Sequence, residues 1–157
     1  MEIAFTSNFR KKQNRLRQLK VRTEIEGLVI LNRTGDAFIE HTSRIAPHRT
    51  GDLADSIGNP SKGGIYERFA EGRGLRIGTT VGYARAVNEG IRRPYPIAPK
   101  NAKVLKFIGK DGETVYRHSV VHPPMSGKFF MNRGLIFARR DLPQIIRSVK
   151  KMGSRHA

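Results

Sequence analysis

From Val21 onward the apolar positions fall into a helical rhythm. Val21, Ile25, Leu28, Leu31, Gly35, Phe38, Thr42 and Ile45 are separated by steps of 4, 3, 3, 4, 3, 4 and 3 residues. Such steps trace one face of an α-helix and approach the spacing of a coiled-coil seam. Upstream, Phe9 to Lys20 is mostly basic, with Phe9, Leu16 and Leu19 as its apolar anchors. Thr6 or Ser7 can cap the helix start. Gly27 and Gly35 each cost about 1 kcal/mol relative to Ala in a helix interior, so a break would fall at Asn32-Arg33-Thr34-Gly35-Asp36. The pattern predicts one long helix or two collinear ones. Gly35 lies on the apolar face, where a missing side chain allows close packing. Pro47 ends the helix, because the residue before a proline is driven out of the α region.

Beyond Pro47 the pattern shortens. Thr50-Gly51-Asp52 is turn chemistry, and Leu53 and Ile57, four apart, predict one helical turn through Ser56. Asn59 to Gly64 reads as a loop. Ile65–Ala70 and Leu75–Val81 read as strands around a Glu71-Gly72-Arg73-Gly74 turn. Tyr83 to Asn88 fits a short helix with Gly90 as its C-terminal cap. Three prolines between Pro94 and Pro99 predict an extended loop over Arg92–Pro99. Lys103–Ile108 and Thr114–Val120 read as two strands joined through the Asp111-Gly112 turn, and His122-Pro123-Pro124 stops the second. Phe129 and Phe130 open a last helix. Its apolar stripe is Leu135, Leu142, Ile145, Ile146 and Val149, with Pro143 as a point of bending.

These elements predict an α+β fold: a long N-terminal helix, a mainly antiparallel sheet with an added β-hairpin, a short central helix and a C-terminal helix. The 157 residues suit a single domain. It would divide into a helical arm (1–45), an α+β body (46–137) and a basic C-terminal helix and tail (138–157).

Composition changes this picture in two ways. Apolar residues make up 38% of the chain, which points to a thin core, projecting arms, or surface completed by partners. The charge is strongly positive: 30 Lys and Arg against 13 Asp and Glu, a formal +17. Such a balance points to a polyanion nearby. Residues 1–50 hold ten basic and five acidic side chains, residues 51–100 eight and five, and residues 101–157 twelve and three. The ends are therefore the basic poles. Arg10, Lys11, Lys12, Arg15 and Arg17 at one end, with Lys150 and Lys151 at the other, are candidate contacts to DNA or to an acidic partner. No zinc-finger, RRM or helix-turn-helix pattern accompanies them, so phosphate-directed rather than sequence-specific contact is expected.

Other chemistry is thin. There is no Cys, which excludes disulfides and thiolate zinc sites. His118 and His122 are four apart but fall in a strand, where that offset separates them by about 13 Å. Gly72, Gly74 and Gly78 miss the spacing of a dinucleotide loop and read as hairpin glycines. His48, Asp52 and Ser56 lack a nucleophile elbow. Glu67, Glu71 and Glu89 read as ion-pair partners. No catalytic, cofactor or metal site is assigned. The N-terminus lacks the charge and apolar order of a signal peptide, and no apolar run approaches the ~18–20 residues of a membrane span. The expectation is a soluble, non-enzymatic protein, cytosolic when made, that touches no membrane.

The ordered motifs add a resemblance. Ile45-Ala46-Pro47 leads into Thr50-Gly51-x-Leu53-x-x-Ser56-Ile57. Val81-Gly82-Tyr83-Ala84 follows with Glu89-Gly90, and then His122-Pro123 and Phe129 precede the last helix. Over residues 20–137 this resembles the tail-component, or tail-completion, family of neck proteins in long-tailed bacteriophages. Pro124 stands where that family commonly has glycine. The resemblance implies a structural virion protein at the head–tail joint, without cofactor. Its partners would be copies of itself in a ring, with a hexamer favoured, and other neck, terminator or tail-tube proteins. Non-specific contact with packaged DNA is the further expectation. The matching positions Pro47, Thr50, Gly51, Leu53, Ser56, Tyr83, Ala84, Glu89, Gly90 and Phe129 would be architectural. The seam of Val21, Ile25, Leu28, Leu31, Phe38 and Ile45 is the candidate subunit-packing surface. The alternative drawn from charge alone is a general nucleic-acid-binding protein, ribosomal-like or nucleoid-associated.

Overall fold

The computed structural model describes residues 6–154, and the side chains of residues 11–153. The chain is mixed α+β and falls into two compact units. The first is formed by residues up to Val81 together with residues from Phe130 onward, and the second by Gly82–Phe129.

The first unit is built on two helices. Helix α1 runs unbroken over Thr6–Ile45, 40 residues, a length of about 60 Å at 1.5 Å per residue. The candidate break at Asn32–Asp36 is helical throughout. The cap assigned to Thr6 or Ser7 lies outside the described side chains. The last helix, labelled α4 below, covers Phe130–Ser154, so it opens ahead of residue 138. It passes Pro143 without ending. The carbonyl deprived of its partner there belongs to exposed Arg139, where water can replace the missing N–H.

α1 and α4 lie antiparallel. His41 Nε2 meets Asp141 Oδ2 at 2.7 Å, and Arg33 Nη1 donates to Ser148 Oγ at 2.8 Å. Thr42 faces Gly134, and Arg22 with Glu26 faces Gly153. A Cβ on Gly134 would collide with the Thr42 hydroxyl, so the helices approach closely because that position has no side chain.

Between them sits the core. Helix α2, Asp52–Ser56, follows the turn at Gly51, whose φ of 87° suits glycine. Leu53 is 1% exposed and Ile57 2%, and Phe130 from α4 closes over the same core at 1%. A short 3-10 turn occupies Pro60–Lys62 within the expected loop. Strands β1 (Gly64–Phe69) and β2 (Gly74–Thr79) pair antiparallel, Gly64 opposite Thr79 and Phe69 opposite Gly74. Gly35 on α1 is the close-packing position expected from its place on the apolar face. A Cβ there would stand 2.5 Å from Leu75 Cδ2 and 3.1 Å from Ile77 Cδ1 of β2.

The second unit begins with α3, Ala84–Glu89, capped at Gly90 with φ 82°. Three two-stranded antiparallel ladders follow. β3 (Gly90–Ile91) pairs with β8 (Met125–Ser126), β4 (Tyr95–Ile97) with β7 (Val120–His122), and β5 (Leu105–Ile108) with β6 (Thr114–Arg117). The antiparallel strands of the chain thus form four separate ladders rather than one continuous sheet. Two expectations are corrected here. Arg92–Pro99 is not an uninterrupted loop, because Tyr95–Ile97 pairs with Val120–His122. Pro96, opposite Val121, is tolerated because a two-stranded ladder has only edge strands. The strand read as Thr114–Val120 divides at Arg117, and its end joins β4 instead of β5.

Candidate assembly interface

The first motif, Pro47 to Ile57, is the joint between α1 and the core. Ala46 donates its N–H to Thr42 O at 2.9 Å, and Pro47 ends the helix. Thr50 Oγ1 donates to Asp52 Oδ2 at 2.7 Å, and Asp55 N–H reaches Gly51 O at 2.9 Å. Ser43 on α1 donates to Ala54 O at 2.9 Å, which fixes α2 against α1. Ser56 is fully buried and lies in a hydroxyl relay. Its Oγ donates to Leu53 O at 2.9 Å and stands 2.6 Å from Thr79 Oγ1, which accepts from Val81 N–H at 3.1 Å. The remaining assignment makes the Thr79 hydroxyl the donor to Ser56. Every group in this relay is satisfied, so Ser56 ties α2 to β2.

The second motif closes the other unit. Tyr83 O accepts from Val87 N–H at 3.0 Å at the start of α3, and Ala84 is buried. Arg85 donates to Glu89 at 3.0 Å on an exposed face. The chain then returns. Lys128 N–H bonds Val87 O and Phe129 N–H bonds Asn88 O, both at 2.9 Å, filling the open carbonyls at the end of α3. Gly90 and Gly127 cross at the same place, so close that a Cβ on Gly90 would stand 2.5 Å from Gly127 N. The Glu89-Gly90 and Gly127-to-Phe129 segments, far apart in sequence, are thus two halves of one joint. Phe129 takes φ 50° and is half exposed. For an aromatic residue this is an uncommon backbone conformation, held by the hydrogen bond to Asn88.

The groups considered for chemistry are engaged elsewhere. His48 Nε2 lies 3.3 Å from Arg44 O, Asp52 is held by Thr50, and Ser56 by its relay. His122 Nδ1 lies 2.6 Å from Pro123 O, and its ring stacks on Tyr95 at 5.1 Å. Glu67, Glu71 and Glu89 pair with Arg76, Arg73 and Arg85. Among the described residues, no group of three or more His, Asp or Glu side chains is placed to hold a metal ion. No described helix is long and apolar enough to cross a membrane.

The seam of α1 divides into two parts. Its C-terminal part belongs to the fold: Thr42 is buried, Ile45 and Phe38 are half buried, and Gly35 meets β2. Its N-terminal part is open, with Val21 54% exposed, Ile25 56% and Leu28 38%. The open stripe runs toward a groove of about 360 Å³ lined by Leu31, Phe38, Leu75, Ile77, Met131 and Leu135, among others. The seam is therefore not a uniform subunit-packing surface; Thr42 and Ile45 already pack within their own chain.

The core around which this surface lies is small. Eight apolar residues are buried, and four of them are alanines. Sixteen large apolar side chains are exposed. In the second unit only Ala84 is among the buried eight, while Tyr83, Tyr95, Phe107, Ile108, Tyr116, Val121 and Phe129 are exposed. A set of that size exceeds the scattered apolar residues a monomer normally shows and marks surface that partners cover. The cations foreseen at the two ends lie on the first unit, and all but Arg10, whose side chain lies outside the described residues, are exposed. Comparison with protein-family models, curated proteins and solved structures finds no match to this chain.

Proposed function

We propose that this chain is a structural virion protein of the head–tail joint of a long-tailed bacteriophage, a neck or tail-completion subunit. It acts by assembling into a ring and docking on neighbouring neck or tail proteins; its place is the virion, and the host cytoplasm during assembly. The family assignment rests on the sequence resemblance. The observation that carries the mode of action is the open apolar stripe of α1 beside an apolar groove on the same unit. The stripe offers knobs and the groove offers a hole. Pairing unlike surfaces is a head-to-tail contact, which closes into a ring when the rotation permits. Both motif joints support the same reading, because their residues are engaged in backbone closure and leave no reactive group displayed. The ring, the neck partners and the absence of catalysis are all part of this proposal.

Negative-stain microscopy of the purified protein, alone and mixed with phage tails or filled heads, tests it. A ring of defined symmetry bound to one end of the tail is expected. A protein that stays monomeric at high concentration and binds neither particle would overturn the proposal. The second reading, a general nucleic-acid-binding protein, is favoured by the +17 charge. It predicts tight binding to DNA or RNA near physiological salt without any ring.

A further inference from the structure

The fold brings the two basic ends of the sequence to one place. Because α4 runs antiparallel to α1, its last turns end beside Arg22 and Glu26. Arg147 and Lys150 are exposed there. From that point α1 continues alone toward its N-terminus, and every residue from 11 to 20 is exposed. This ten-residue stretch spans about 15 Å and carries five cations and no acid. The first carboxylate after it is Glu24, and Glu26 is already paired with Arg22 at 3.0 Å. None of the five arm cations forms an ion pair among the described residues. A depression of about 570 Å³ on the arm is lined by Lys11, Lys12, Asn14, Arg15 and Gln18, three cations and two amides.

The distribution of charge around the helix identifies the partner. Stepping about 100° per residue from Lys11, Arg15 falls within about 40° of it and Lys12 about 100° to one side. Arg17 lies about 120° to the other side and Lys20 opposite. Leu16 and Leu19 flank Lys12. An acidic protein surface would meet one side of such a helix and leave the other cations unmatched. A groove with phosphates on both walls matches them from two sides at once. The major groove of B-form DNA is about 12 Å wide and admits an α-helix.

We propose that the α1 arm, residues 11–20, lies in the major groove of double-stranded DNA and sets its cations against phosphates on both walls, with the end of α4 adding charge alongside. The contact is to the backbone, so affinity varies little with sequence. This inference stands on the placement of charge and does not depend on ring assembly.

The test is fluorescence anisotropy of the full chain with a labelled random-sequence duplex across a salt series. Five phosphates engaged per arm give a log–log slope of about −4.5, which is about a 500-fold loss of affinity between 50 and 200 mM salt. Replacing Lys11, Lys12 and Arg15 with Gln keeps helix propensity nearly unchanged, and circular dichroism checks that the helix content is retained. The slope should weaken by about 2.7 for each engaged arm. A matched variant in the second unit, Lys106→Gln, Lys110→Gln and Arg117→Gln, should leave the slope unaltered. An equal change in both variants, no binding at 50 mM salt, or tighter binding to polyglutamate than to the duplex would each overturn the inference. Light scattering on the same samples separates the two proposals. A lost ring with the slope retained counts against assembly alone, and an intact ring without duplex binding counts against the arm alone.

Discussion

Gly134 and Gly27 are both helical, yet the same substitution should act on them with opposite sign. Helix propensity favours Ala over Gly by about 1 kcal/mol at either position. At Gly27 nothing lies within 4 Å of the new Cβ, so Gly27→Ala should stabilise by about that amount. At Gly134 the Cβ would overlap the Thr42 hydroxyl and stand 3.0 Å from the Thr42 Cα. The backbone there cannot swing aside as a flexible side chain does, and overpacking of this kind costs about 1–3 kcal/mol. The propensity gain offsets part of it, leaving Gly134→Ala destabilised by about 1–2 kcal/mol. That corresponds to a fall in Tm of about 3–8 °C, against a rise of about 2–4 °C for Gly27→Ala. Thr42 Oγ1 is buried without a hydrogen-bond partner, so Thr42→Ala removes both the obstacle and an unsatisfied group. The double variant Thr42→Ala/Gly134→Ala should therefore be less destabilised than the sum of its parts, a coupling that a double-mutant cycle reads directly. Urea titration at one fixed subunit concentration keeps oligomer linkage constant across the set. If Gly134→Ala proves as stabilising as Gly27→Ala, the close α1–α4 approach is refuted.

Two further perturbations probe the joints. Gly90→Ala places a Cβ 2.5 Å from Gly127 N and Met125 O at a backbone φ of 82°. Amides of Lys128 and Phe129 should then lose hydrogen-exchange protection while those of α4 keep theirs, and unchanged protection at 128–129 would contradict this closure. Lys62 donates to Asp55 at 2.6 Å and holds its carboxyl below the ordinary value of 3.8, chiefly through that hydrogen bond and then through its charge. A lowered folded value means the stabilisation is present above 3.8 and is lost as pH falls through the folded value. Lys62→Ala should thus be less stable than the parent near neutrality, and the gap in urea midpoint should close on acidification. The pair is exposed, so the gap is small and shrinks with salt; a gap that widens in acid would contradict the assignment.

The long period of α1 was legible because 3.6-residue spacing is a local property, and Pro47 and Gly90 are local stops. The hairpin of β1 and β2 announced itself through its turn glycines. The β4–β7 ladder was hidden because Pro94, Pro96 and Pro99 obscure a three-residue strand whose partner lies past a whole hairpin. Thr42 was placed on the correct face but with the wrong role. Its neighbour is Gly134, and nothing local to either residue announces a contact across that separation. For the same reason the two basic poles looked like opposite ends of a molecule. Only the antiparallel packing of α1 on α4 puts Lys150 beside the base of the N-terminal arm. The phrase from Thr50 to Ile57 read as punctuation, and its buried Leu53 and Ser56 turn out to join α1, α2 and β2.

Assembly through the open stripe of α1 is most directly tested by the mass of the particle in solution. Val21, Ile25 and Leu28 are 54%, 56% and 38% exposed. Burying the remaining apolar surface of each contributes about 1 kcal/mol, roughly half the value for full burial, or about 3 kcal/mol per interface. Replacing all three with Ser should weaken each contact by about 100-fold. Native mass spectrometry of the parent should show one closed species of several copies, six being favoured, and the triple variant should fall to monomer at the same concentration. A parent that is monomeric or a simple dimer, or a ring that the triple variant leaves intact, would contradict the account.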